Sequence, residues 1–334
     1  MLFERGIYPE STYIFKHALT QEVVYDSILT RRKKQLHEDI GNSIEELHKE
    51  NIDEYYEILA EHFISSENYV KGSEYCRLAG KKAEKTGSFN DAIVYGNKQV
   101  AYLEKSPQTG EVEKKLIDAR TILGLYYFQM TNCVEAKAAV DPIVDLATER
   151  NYKRRVSQIN CVIGQYAGTV EEDYTKAFEY LERALSIGGD LNDLPTLVLS
   201  NICMATNLSL NCDFTKSLLY YEKALEINVA ANVLWGISAT KAWIALCVYN
   251  YQGRINLGYA VSEEALRIAN ESSDIFSKTH AYPAHGWSCY HKGYLKEAKE
   301  HFLKGADFCE RLNSLIMAST AHFGLGITLR YSPV

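Results

Sequence analysis

The sequence predicts an all-α solenoid, a tandem array of helix-turn-helix units about forty residues long. Three observations predict it. A short pattern, a small or turn residue followed two places on by an apolar residue and three further on by a small one, returns along most of the chain. Its copies are Gly87-x-Phe89-x-x-Ala92, Thr131-x-Cys133-x-x-Ala136, Glu172-x-Tyr174-x-x-Ala177, Cys212-x-Phe214-x-x-Ser217, Gly253-x-Ile255-x-x-Gly258 and Gly293-x-Leu295-x-x-Ala298, with a weaker copy ending at Gly72. The final residues advance by 20, 44, 41, 40, 41 and 40, so one half step precedes a steady period. Prolines number six in 334 residues, far below the average usage of about 5%, which favours long helices over a loop-rich β fold. Finally, 46% of the residues are hydrophobic, enough to bury a continuous core.

Each unit carries its own marks. A second small residue precedes the first by about twelve places: Gly124, Gly164, Ala205, Ala245 and Gly286, with Gly164 and Ala245 one place off register. Two helices that cross closely need small residues at the crossing, and every unit supplies one on each side of its turn. An Ala-Leu doublet follows the turn pattern by two helical turns at Ala184-Leu185, Ala224-Leu225 and Ala265-Leu266. Asn51-x-x-Glu54 and Thr169-x-x-Glu172 have the form of capping boxes, and Asp193 stands before Pro195 at a helix entrance. Pro142 and Pro283 fall inside expected helices and should kink them or displace their starts. Residues 104–110 are the expected irregular connection beside the step of 44. Gly326 repeats the first-helix small position, so either its helix caps the solenoid or, as expected, the array continues beyond Val334.

These units resemble the tetratricopeptide repeat. Its first-helix Leu-Gly-x-x-Tyr is similar to Leu123-Gly124-x-x-Tyr127, and its second-helix elements to Tyr174-x-x-Ala177 and Ala184-Leu185. The likeness covers roughly residues 54 to 330, with longer helices than the family's usual thirty-four-residue unit provides. It implies a right-handed superhelix whose first helices line a concave face that takes a protein or peptide ligand. Positions spaced around the first-helix small residue give candidate groove residues Phe128, Gln165, Thr206, Ser209, Trp243, Asn250, Trp287 and Tyr290. The aromatics among them either line that groove or pack between repeats. No repeated Lys and Asn arrangement for a peptide carboxylate is present.

Residues 1–50 stand outside the forty-residue step and are expected to form a separate helical segment before the array at 51–334. They contain Tyr13-Ile-Phe-Lys-His17-Ala-Leu-Thr-Gln-Glu-Val-Val-Tyr25-Asp-Ser-Ile-Leu29, then Arg31-Arg-Lys-Lys34-Gln-Leu-His37. This stretch resembles the region behind the ATPase module of bacterial-type class III adenylate/guanylate cyclases, which run cyclase, AAA or STAND-type ATPase, helical extension and repeats. Leu59-Ala-Glu-His-Phe63 and Leu78-Ala-Gly80 are similar to that family's first repeats. The resemblance implies a larger signalling protein with its catalytic domains upstream and makes those domains partners of this chain. Alternatives are the ligand-sensing domain of an ATPase-type transcription regulator and a free-standing scaffold.

Chemistry within the chain itself is not expected. With 36 basic and 43 acidic residues the net charge is −7, which excludes a general nucleic-acid or anionic-membrane binder. No P-loop, no H-E-x-x-H and no G-x-S-x-G occurs. His280, His285 and His291 are spaced by five and six, not by the three or four that puts ligands on one helix face. Hence no catalytic, cofactor or metal residue is expected. The run Arg31 to Lys34 reads as a solvated face, and His17 as a packed histidine. The eight cysteines form no C-x-x-C and read as reduced, mostly buried thiols. The longest apolar run, Ala242 to Tyr249, is eight residues, and the first residues lack the features of a secretory signal. A cytoplasmic protein is expected.

Overall fold

The computed structural model describes residues 2–5, 12–15, 18–272 and 274–331, with side chains described from residue 22 onward. A short antiparallel hairpin of β1 (Leu2–Arg5) and β2 (Thr12–Phe15) pairs Leu2 with Phe15 and Arg5 with Thr12. This corrects the expectation of a wholly helical N-terminus. Thr-Tyr-Ile-Phe is a β-branched and aromatic run that favours a pleated strand. His17 lies outside the described residues.

The other regular elements among the described residues are helices. In order the helices are α1 (Ala18–Ser27), α2 (Thr30–Leu47), α3 (Tyr56–Ser65), α4 (Tyr69–Lys85), α5 (Phe89–Lys105), α6 (Gly110–Gln129), α7 (Cys133–Val140), α8 (Val144–Glu149) and α9 (Lys153–Thr169). They continue with α10 (Tyr174–Leu191), α11 (Leu194–Leu210), α12 (Phe214–Ala230), α13 (Leu234–Ile244), α14 (Ile255–Ser272), α15 (Ile275–Lys292), α16 (Leu295–Arg311) and α17 (Leu315–Tyr331). Packing runs between successive helices, so the architecture is one array of stacked pairs: α4 with α5, α6 with α7, α9 with α10, α11 with α12, α13 with α14, and α15 with α16. Lys33 and Lys34 of the basic run are ion-paired to Asp26 and Glu67.

The repeat pattern is a turn signature. Its first residues, Gly87, Thr131, Glu172, Cys212, Gly253 and Gly293, all have φ between 55° and 80°, and each reverses the chain inside a pair. Asn151, Asn192, Asn232 and Asn313, with φ of 49–55°, do the same between pairs. After most of these turns an amide bonds the carbonyl five residues back, as in Ser88 to Ala83, Asn132 to Tyr127, Asp213 to Leu208 and Tyr294 to Cys289. That bond caps the preceding helix. The half step at Gly72 arises because its turn, at Glu67, lies between pairs and not within one.

The two register offsets have separate causes. Between α9 and α10 the turn is one residue longer than its counterpart between α11 and α12. After α13 the helix widens into a π-turn at Ala245–Tyr249, which absorbs an extra residue before Gly253. Pro142 breaks the helix into α7 and α8 through a 3₁₀ turn at Asp141–Ile143. Pro283 is carried inside α15, and two features accommodate it. Gly305 of α16 leaves room for the ring, since a Cβ there would lie 3.0 Å from Pro283 Cγ and Cδ. The Thr279 carbonyl, deprived of its amide partner, accepts the Cys309 thiol at 3.5 Å.

Neither capping box forms its backbone cap. Thr169 ends α9 and donates to the Gln165 carbonyl, while Asp173 caps α10 by accepting from the Lys176 amide at 3.0 Å. Asn51 precedes a 3₁₀ turn and makes no side-chain cap. Asp193 does stand at the entrance of α11, where its carboxylate meets Thr196 and Arg154.

The small residues sit where helices cross. A Cβ on Gly124 would lie 2.6 Å from Val140 Cγ1 and 3.2 Å from the Ala136 carbonyl, and one on Gly164 would lie 2.8 Å from Leu181 Cγ. Ala184, Ala224 and Ala265 of the doublets have no exposed surface. Ser157 and Ser238, two repeats apart, donate to the carbonyls of Ala184 and Ala265 at 2.7 and 2.9 Å, tying each first helix to its partner.

Gly124→Ala should therefore lower stability by about 1–3 kcal/mol through overpacking. Gly326→Ala, with nothing within 4 Å of the added atom, should raise it by up to about 1 kcal/mol through helix propensity. Urea unfolding midpoints of the two variants check this contrast, which requires shifts of opposite sign.

Candidate functional site

Curvature of the array brings its ends of sequence together. The α4–α5 turn meets the start of α15, where a Cβ on Gly87 would lie 3.7 Å from Ile275 Cγ2. Aromatic rings bridge the gap: Phe89 to Phe276 at 6.0 Å between centroids, Phe276 to Trp235 edge-on at 5.8 Å, Phe276 to His280 at 4.5 Å and His280 to Trp243 at 5.6 Å. Such separations are those of favourable aromatic pairs.

Inside this closure is a cavity of about 1110 Å³. Phe89, Ile122, Leu125, Phe128 and the rings of Trp235 and Phe276 form its apolar lining.

 The Leu199 side chain, from α11, belongs to the same lining, and Lys81, Glu84, Lys85, Asp274 and Arg311 stand among these groups. The volume exceeds the roughly 300–1,000 Å³ of ordinary small-molecule sites. Pro195, Trp235 and Phe276 follow one another at the repeat spacing, each near the start of a first helix, so the wall is built by equivalent positions of α11, α13 and α15.

A second cavity, of about 450 Å³, adjoins it and shares Lys81, Glu84, Ile122 and Tyr126. Its lining is charged: Arg77, Lys81, Lys115 and Arg155 stand with Glu74, Glu84 and Asp118. Arg77 makes a two-pronged contact with Glu74 at 2.6 and 3.0 Å, and Arg155 donates to Asp118 at 2.6 Å. The Tyr126 hydroxyl donates to Glu84 at 3.0 Å, and burial followed by that carboxylate pushes its pKa well above the usual phenol value. The interior thus offers an apolar, aromatic chamber and a charged one side by side, with cations in slight excess in a chain of net charge −7.

Of the eight residues expected in the groove, Phe128 alone lines these cavities. Most of the others join one repeat to the next. Gln165 accepts from Asn207 at 3.2 Å, Ser209 donates to the Cys247 carbonyl in the π-turn, and Asn250 donates to Ser288 at 3.1 Å. Thr206 pairs with Tyr221 at 3.0 Å. Trp287 donates to the Thr320 carbonyl at 3.3 Å and packs on Phe302, Phe323 and Tyr290, while Trp243 packs on His280. The positions chosen lie in the second half of each first helix, where the next first helix covers them. In α11, α13 and α15 the cavity wall comes from the first half, whereas α6 contributes its second half, Ile122 to Gln129. The signal that marks it is the pair Trp235 and Phe276, apolar residues recurring 41 places apart at helix starts.

No family model matches the sequence, and no curated protein matches it either. Solved structures do match in shape. A signal transduction ATPase with numerous domains carrying a tetratricopeptide repeat sensor, from Pyrococcus horikoshii, aligns with 95% of this chain at 15% identity and a TM-score of 0.57. The fold is a tetratricopeptide-like α-solenoid. This chain spans 46% of that protein's length. A Rap protein complexed with competence and sporulation factor aligns with 94% of this chain, over 92% of its own, at 15% identity and a TM-score of 0.57. The Rap conjugation gene regulator of plasmid pLS20, in complex with the Phr* peptide, aligns with 79% of this chain and 76% of its own at 14% identity and a TM-score of 0.52. Among the described residues no helix is long and apolar enough to cross a membrane.

Five histidines of the solenoid, His62, His280, His285, His291 and His301, have pKa values below the usual 6.5, each chiefly through burial. His280 is lowered by burial, against the opposing pull of the Phe276 carbonyl and Asp274. His62 is lowered by burial and then by His37, whose ring nitrogen lies 2.9 Å away, against a smaller opposing effect of Glu61. The unfolded chain takes up these protons more readily, so their contribution is present above pH 6.5 and is lost as pH falls below it. Urea midpoints should fall between pH 7.5 and 5, and His280→Gln should flatten the fall. A midpoint independent of pH over that range would contradict the account.

Proposed function

We propose that this chain is a regulatory, non-catalytic sensor domain that binds a short peptide or protein segment inside its solenoid. The observation that carries this reading is the groove, in which an aromatic chamber adjoins a charged one with cations in excess. A segment offering an apolar or aromatic side chain next to an acidic group matches both. The Rap structures, one with competence and sporulation factor and one with the Phr* peptide, support a peptide as the occupant.

The parent, on this reading, is a larger signalling ATPase that responds to occupancy of the groove. The shape shared with the STAND protein and its repeat sensor supports an ATPase parent. The resemblance of residues 13–37 supports the narrower version, in which the ATPase is joined to a nucleotide cyclase. Sequencing the transcript upstream of the Met1 codon distinguishes these. A P-loop ATPase preceded by a cyclase domain with its metal carboxylates is expected.

Panning the purified chain against a library of short peptides should enrich sequences that combine an apolar and an acidic residue. Trp235 is 46% exposed in the groove, so binding should change its fluorescence. Trp235→Ala should weaken a selected peptide by about thirtyfold, as expected for an aromatic hot spot. Trp287→Ala with Tyr290→Ala, which alters contacts between repeats, should leave affinity unchanged if the array stays folded. The reverse pattern would move the site to the second halves of the first helices.

A further inference from the structure

Away from the groove, α15 and α16 bring three strong metal ligands together. His285 and Cys289 are one helical turn apart on α15, and His301 faces them from α16. Their ligand atoms all lie within 4.8 Å of one another. His285 is 4% exposed and Cys289 fully buried. The spacing of histidines alone conceals this group, because one ligand is a cysteine four places on and another comes from the neighbouring helix.

Two further features point to a cation. The His285 Nδ1 lies 2.9 Å from Ser262 Oγ, and that hydroxyl also lies 2.9 Å from the Tyr259 carbonyl. A carbonyl only accepts, so the Ser262 proton goes to Tyr259 and the serine oxygen accepts from Nδ1–H. That tautomer leaves Nε2 with a free lone pair, the arrangement a ligating histidine needs. Independently, His301 Nδ1 is buried and has no hydrogen-bond partner. An unpaired buried nitrogen costs free energy that a metal bond would recover.

We propose that His285, Cys289 and His301 form a zinc site that clamps α15 to α16. Two imidazole nitrogens and a thiolate suit a borderline-soft ion such as Zn²⁺, with the fourth tetrahedral position left for water. Hard ions such as Mg²⁺ are disfavoured. Glu263 and Glu297 lie close enough to act on Cys289 and supply negative charge, partly opposed by Lys304 beside His301. Burial holds His285 neutral, with its pKa at about 4, and pushes the Cys289 thiol up to about 12. Binding therefore breaks the S–H bond, forms the S–Zn bond and releases one proton to solvent. The clamp would brace the helix whose first residues, Ile275 and Phe276, form the groove wall, yet it stands whether or not the groove binds a peptide.

The test is titration of the chelator-treated full chain with Co²⁺, followed by Zn²⁺. The expected result is one Co²⁺ per chain with a near-ultraviolet thiolate-to-cobalt absorption band, displaced by Zn²⁺ and unaffected by Mg²⁺. Cys289→Ser should abolish the band, whereas Cys212→Ser, at the exposed cysteine, should retain it. Ser262→Ala should weaken Co²⁺ binding by about ten- to a hundredfold, the usual cost of removing an orienting partner. Should Cys289→Ser fail to fold, His301→Gln, a half-buried position, carries the test, and its band must be lost or greatly weakened. No band in the folded natural chain, or a band that persists in Cys289→Ser or His301→Gln, would overturn the proposal.

Discussion

The close approach of paired helices is the constraint on which the rest of this structure depends. Between α6 and α7, α9 and α10, and α15 and α16, glycine stands where the axes cross, and the facing side chain fills the space a Cβ would take. Phe302 shows the consequence most fully. Its ring lies against Gly286 of α15 on one side and Gly324 of α17 on the other, and it is wholly buried. Removal of such a ring from water is worth roughly 1.5–3 kcal/mol. Several pairs supply contacts of this kind, and because packing runs mainly between successive helices, stability accumulates along the array.

Close crossings require sharp turns, and the sharp turns explain the period. A helix that must double back within three residues needs one residue with positive φ, which glycine and asparagine adopt at least cost. Glycine serves inside three of the pairs and asparagine between four of them. Thr131, Glu172 and Cys212 take the same conformation without that advantage, held there by the bonds that cap the preceding helices. Once turn and crossing are fixed, the spare residue in the fifth pair has to go elsewhere. It is taken up as the π-turn at Ala245–Tyr249, whose Cys247 carbonyl then accepts from Ser209 of the preceding repeat.

This logic decides what could be read from the residues. The pairing of helices, the period and the positions of the turns were legible, because local chemistry causes each of them. The connection at residues 106–109 and the break at Pro142 were legible for the same reason. The hairpin at the N-terminus was not, since a two-stranded element falls outside the repeat that organised the reading. Nor were the groove residues. Gln165, Ser209 and Asn250 lie on the face expected for them, but longer helices let the next repeat cover that face, and polar side chains there are used to bond it. In the cluster of His285, Cys289 and His301, one ligand lies on a second helix, and only the packing of α16 on α15 brings it close.

The groove itself has a non-local cause. No single pair is concave, and the cavity exists because small rotations between pairs accumulate until the turn at Gly87 reaches Ile275. Phe89 and Phe276 meet across nearly two hundred residues of sequence, through no chain of local contacts that a motif could record. A ligand filling this space would touch α6, α11, α13 and α15 at once. Its binding energy would therefore be shared among several pairs, and it would act on the angles between them. In an array packed mainly between successive pairs, those angles are the softest degrees of freedom, so on the proposed reading occupancy of the groove would be felt along the solenoid and at whatever is joined to its ends.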